Sequence, residues 1–181
     1  SEVEKIKREM EKLLEEHKKL VDDIRREAER LHEEHRRLSD KIREDLKRLL
    51  EELRRSGIDK KLLDEIEEVV KEVDERSKKL DKELREIIRK VVEDSRKLHE
   101  ELERIIRTVE RRMEELEKRG GDRKELDRLR REVEKVVREL KERNKELLKR
   151  LEEAVEELKR RNRKLLEDAR RVVEEIKERA R

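Results

Sequence analysis

An all-α fold is expected: a single-chain antiparallel bundle of three long helices running up, down and up. Three observations carry it. The 181 residues are 61% Asp, Glu, Lys or Arg and 30% apolar, with no proline, cysteine or aromatic residue, which is the composition of long helices or a coiled coil. The apolar residues recur with helical spacing along nearly the whole chain. The three glycines fall at only two places and divide the chain into thirds. High charge with few apolar residues is also a signature of disorder. Here 57 basic residues offset 54 acidic ones, leaving a net charge of +3, and the apolar pattern is regular.

The first helix is expected over about residues 2–55. Ser1 with Glu4 has the form of a capping box at its start. Ile6, Ile24 and Ile42 recur every 18 residues along it, as do Leu13, Leu31 and Leu49. The chain then turns at 56–59. Gly57 is placed to take the left-handed conformation just past a helix end, with Ile58 next to it able to touch Leu53, as in a Schellman motif. Asp59 is the candidate N-cap of the following helix.

The second helix, about 60–119, carries Leu62, Leu80, Leu98 and Leu116 at the same 18-residue interval, with Val73, Val91 and Val109 beside them. A second turn at 120–122 offers Gly120 as the helix stop and Asp122 as the next N-cap, with Glu125 three residues on. The third helix, about 123–181, repeats Leu129/Leu147/Leu165 and Val137/Val155/Val173.

Eighteen residues make five turns of 3.6, between the seven-residue repeat that supercoils a helix left-handedly and the eleven-residue repeat that does the reverse. Nearly straight helices, each roughly 80–90 Å long, are therefore expected. At 100° per residue each apolar stripe is about 100–120° wide, enough for one buried face. One bundle spanning residues 1–181 accommodates all three.

Isolated polar residues interrupt the stripes at the same interval: His17 and His35, Ser77 and Ser95, and Asn144 and Asn162, each pair 18 apart. Asp81 and His99 are equivalent positions at the stripe edge. Antiparallel pairing about the two turns brings residues of helices 1 and 2 to the same height where their numbers sum to about 115, and of helices 2 and 3 to about 241. Two polar layers result. One holds His17, Ser95, Asn144 and His99. The other holds His35, Ser77, Asn162 and Asp81, with His32 and Ser39 nearby on either the core or the surface side. Neutral His, Ser and Asn each offer donors and acceptors, so such a layer can satisfy itself. A slipped register would bury imidazole against leucine, so the layers specify alignment, as a buried Asn does in a coiled coil. A buried imidazole should resist protonation. An Asp81 lying against His35 or His32 should instead raise that ring's pKa.

Other chemistry is disfavoured. A Ser/His/Asp set is not a triad without an oxyanion hole and a substrate cleft, which short turns do not supply, so no enzyme activity is expected. Without cysteine there is no thiolate site, and the histidine spacing includes no His-x-x-x-His. No metal and no cofactor are expected. Absent aromatics exclude stacking platforms, runs such as Lys159-Arg160-Arg161 read as solvated faces, and interspersed acids break every basic stripe, so no nucleic-acid partner is expected. No apolar run suits a membrane span. Met10 and Met113 read as core fillers, and Thr108 as an outward residue without a role.

The loops Arg55-Ser56-Gly57-Ile58-Asp59 and Arg119-Gly120-Gly121-Asp122, the Glu/Lys/Arg surface, the Leu/Ile/Val core and the polar residues set into the stripe together give the chain a resemblance. It resembles parametrically designed de novo helical bundles with buried hydrogen-bond networks, over its whole length. The resemblance implies a thermostable, synthetic structural scaffold with no natural activity, required partner or natural location, soluble and cytoplasmic on recombinant expression, and most simply a monomer. The alternative is a helical interaction module, a homo-oligomer or partner-helix binder, with a pH response through its buried histidines.

Overall fold

The computed structural model describes residues 2–179 and is 95% helical, a three-helix bundle with contacts among all three helix pairs. Helix α1 spans Glu2–Arg55, α2 Lys60–Lys118 and α3 Arg123–Arg179. Ser1, the proposed cap of the first helix, and residues 180 and 181 at the end of the third lie outside the described residues.

The two turns stop their helices differently. Gly57 and Gly120 both hold positive φ, 74° and 71°, where a Cβ would strain the backbone. At the second turn both Schellman hydrogen bonds are present: the Gly121 N–H donates to the Leu116 carbonyl at 2.7 Å, and the Gly120 N–H to the Glu117 carbonyl at 3.2 Å. A Cβ on Gly121 would fall 2.5 Å from the Leu116 oxygen, so glycine is needed there for space. At the first turn the Ser56 hydroxyl donates to the Leu53 carbonyl at 2.7 Å. Ile58 packs on the apolar cluster that contains Leu53. Asp122 caps α3 by accepting the Lys124 N–H on Oδ1 at 3.1 Å, and its carbonyl accepts the first backbone bonds of the helix.

The chain divides into two compact units, one of Ser1–Ala28 with Arg89–Leu151, the other of Glu29–Ile88 with Glu152–Arg181. In the first, α1 and α2 are antiparallel: Lys7 pairs with Glu114, and Glu11, four residues further along α1, pairs with Arg107, seven residues back along α2. α1 and α3 run parallel there, with Glu9 bridging to Arg130 and Glu16 to Lys141. The core is built on Ile6, Met10, Leu102, Ile106, Met113 and Val133, each no more than 2% exposed. The second unit repeats the arrangement through Arg43–Asp74, Arg54–Glu67, Lys159–Glu34 and Arg161–Glu83. Its apolar clusters centre on Ile42, Leu46, Val73 and Ala169, and on Leu53, Ile66, Val173 and Ile176.

Burial follows the stripe because each buried aliphatic side chain contributes about 1.5–3 kcal/mol. The many ion pairs are mostly exposed, and each such pair contributes about 0–1 kcal/mol. Thr108 is exposed and donates its hydroxyl to the Arg104 carbonyl at 2.9 Å, one helical turn back.

Candidate functional site

Each unit holds one polar layer. In the first, His17, Ser95 and Asn144 are all fully buried. They come from α1, α2 and α3, one each, because all three positions fall on the core-facing stripe of their helix. The Ser95 hydroxyl donates to Asn144 Oδ1 at 2.7 Å. Asn144 Nδ2 lies 2.9 Å from His17 Nε2 and donates to the Leu140 carbonyl at 3.1 Å. His17 Nδ1 lies 3.0 Å from His99 Nδ1, and the two rings stack 5.3 Å apart at an interplanar angle of 10°.

With neutral rings, these contacts set the direction of each hydrogen bond in the layer. The Leu140 carbonyl can only accept, so the atom facing it is the amide nitrogen of Asn144. That nitrogen can only donate, so His17 Nε2 accepts and carries no proton. A neutral His17 then holds its proton on Nδ1 and donates it to His99 Nδ1. The result is one directed chain across three helices, from Ser95 to Asn144 to His17 to His99.

The chain tolerates no added proton at His17. A proton on Nε2 would meet the Asn144 amide donor head-on. Turning that amide over would set its oxygen against the Leu140 carbonyl. Burial is the largest cause that pushes the His17 pKa down from 6.5 to about 4, followed by repulsion from His99 and from Lys141.

The second layer has the same plan with one substitution, Asp81 where the first has His99, and it does not close in the same way. His35, Ser77 and Asn162 are each no more than 1% exposed. Asn162 Nδ2 lies 2.9 Å from His35 Nε2. Asp81 Oδ1 is 3.9 Å from His35 Nδ1 and 3.5 Å from His32 Nε2, while its Oδ2 is held by Arg85 at 3.0 Å. A carboxylate reaches less far than an imidazole, and 3.9 Å is beyond a direct hydrogen bond. His32 Nε2, His35 Nδ1, Ser77 Oγ, Asp81 Oδ1 and Asn162 Oδ1 are buried without a hydrogen-bond partner in the protein. So is the hydroxyl of Ser39, a residue 2% exposed and thus on the core side.

The expectation that Asp81 would raise the pKa of His35 is corrected by the balance of forces. Burial is the larger effect and holds the His35 pKa below its usual value. The attraction of Asp81 opposes this, and repulsion from His32 and Lys159 adds to it. Met10 and Met113, 1% and 0% exposed, are core residues.

Four participants escaped the sequence reading. Leu140 contributes a backbone carbonyl, Arg85 grips Asp81 from the next turn of α2, and Lys141 and Lys159 sit at equivalent places beside the two buried imidazoles. The four-residue spacing of Asp81 to Arg85 and of Leu140 to Asn144 was the available signal. The grooves of the structure are surface furrows. That between α2 and α3 in the second unit, about 650 Å³, is floored by Leu80 and Leu165 and walled by charges of both signs, Arg76, Lys79, Arg161 and Lys164 with Glu83 and Asp168. Among the described residues no helix is long and apolar enough to cross a membrane. No protein-family profile, curated protein or solved structure matches this chain.

Proposed function

We propose that the chain is a synthetic structural scaffold, without catalytic activity, whose buried polar layers fix the alignment of its helices and make its stability fall in acid. The single observation that supports this most is the directed chain from Ser95 through Asn144 and His17 to His99, which draws on all three helices and is satisfied at one relative height. A displaced helix would leave buried donors and acceptors unpaired, at about 1–3 kcal/mol each. An all-apolar core lacks that penalty, since leucine packs nearly as well one turn away. Burial of His17, followed by repulsion from His99 and Lys141, disfavours its protonated form and adds the acid response.

The test is to replace the whole layer, His17→Leu, Ser95→Ala and Asn144→Leu together. Removing these three at once leaves only the half-buried His99 without its partner, at the edge where water reaches it, so the variant should stay helical and gain stability toward denaturant. It should also lose its single state, seen as mixed species in light scattering and broadened amide resonances. A variant that remains monodisperse with one sharp set of resonances refutes the alignment role.

A further inference from the structure

The two layers share a plan and differ in closure. Among the described residues, the first leaves no buried side-chain nitrogen or oxygen without a hydrogen bond. The second leaves six: His32 Nε2, His35 Nδ1, Ser39 Oγ, Ser77 Oγ, Asp81 Oδ1 and Asn162 Oδ1. Native proteins pair nearly all such atoms, and they use ordered water where no protein group reaches.

We propose that the second layer is a binding site for ordered water, which completes its hydrogen bonds, while the first layer is dry. Two groups of atoms receive the water. In one, Asp81 Oδ1 stands 3.5 Å from His32 Nε2 and 3.9 Å from His35 Nδ1. Neither separation is a good direct hydrogen bond. Arg85 grips the other carboxylate oxygen at 3.0 Å and opposes its movement inward. The Asn162 nitrogen donates to His35 Nε2, so a neutral His35 carries its proton on Nδ1. A water here accepts that proton, donates to Asp81 Oδ1, and donates its second hydrogen to His32 Nε2. It takes the acceptor role that His99 Nδ1 plays for His17. Water at about 2.8–2.9 Å from two partners holds them about 4–4.7 Å apart, so this corner opens by about 0.5–1 Å to seat it. The His32 and Asp81 side chains, 29% and 16% exposed, lie at the edge of the layer, where they can draw back and where water can enter.

The other group is Ser39, Ser77 and Asn162, one from each helix and at one height in the antiparallel pairing. Two hydroxyls and an amide oxygen give a second water three partners, within the usual range.

The first layer has neither group. Eighteen residues before His32 and Ser39 stand Leu14 and Val21, and His99 replaces Asp81. Apolar side chains there offer water nothing to bind.

The test is water-to-protein nuclear Overhauser spectroscopy on the full chain at neutral pH, read at the carbon-bound ring protons of His35 and His17. His35 should show contact with water that tumbles with the protein, and His17 should show none. The double substitution Ser39→Val with Asp81→His copies the first layer's surroundings. With helical circular dichroism unchanged, it should lower the His35 signal to the His17 level. Equal signals at the two rings of the parent overturn the proposal, since exchange of ring N–H protons with solvent would produce them at both. So does absence of signal at His35, which means that the side chains close on one another directly. A His35 signal that persists undiminished in the double variant comes from water outside the layer and overturns it as well.

Discussion

Replacing His17 by Asn should remove most of the acid sensitivity of the first unit. In the folded protein the His17 pKa lies near about 4, against 6.5 when unfolded. Because the folded value is the lower one, the unfolded chain binds more protons between those two pH values. Stability is therefore lost as pH falls through that window and not regained below it. The full loss below about pH 4 is on the order of 3 kcal/mol, and about 2 kcal/mol is gone by about pH 5. With a guanidinium slope of about 4–5 kcal/mol per molar, the midpoint should fall by about 0.4–0.5 M between about pH 7.5 and pH 5. The assay is guanidinium unfolding at both pH values, followed by circular dichroism, for the parent, His17→Asn and His35→Asn. His17→Asn should shrink the difference between the two midpoints by more than half. His35→Asn should shrink it by less, because Asp81 partly offsets the burial that lowers the His35 pKa. An undiminished difference in His17→Asn refutes the argument, and the buried imidazole then has no part in the acid response.

Two further outcomes are expected. Asn144→Ala orphans both Ser95 and His17 and should cost about 2–5 kcal/mol, whereas Asn162→Ala breaks one bond, to His35, and should cost about 1–3 kcal/mol; equal losses in denaturant unfolding would contradict the different closure of the two layers. Gly121→Ala should destabilise by about 1–3 kcal/mol and lower the thermal midpoint, since its Cβ would fall 2.5 Å from the Leu116 oxygen and displace a 2.7 Å hydrogen bond; an unchanged melt would show that the second turn relaxes freely.

Much of the architecture was written in local chemistry. The helix limits follow from the glycines, from Asp122 and from the absence of proline, all of which act through backbone geometry within a few residues. The apolar stripes needed only the helical period, since a helix returns to the same face every 18 residues whatever surrounds it. The recurrence of His, Ser and Asn at that interval pointed to two layers, and index sums about the turns brought His17 near His99 and Ser95 near Asn144.

What tertiary structure alone decided is how those layers are wired. The proton positions in the first layer depend on the Leu140 carbonyl, whose approach to Asn144 no spacing rule orders against Ser95 and His17. Equivalent residues behave differently because an aspartate stops 3.9 Å from His35 where an imidazole reaches His17 at 3.0 Å. The direction of the His35 shift required both the complete burial of the ring and the distance of its counter-charge, two opposing effects that a sequence can name but cannot weigh. Sequence determines which faces meet, because periodicity is a property of one helix. The length of a contact is set by two or three backbones at once, and in this protein a difference of less than 1 Å separates a closed hydrogen-bond chain from a layer of buried polar atoms left without partners.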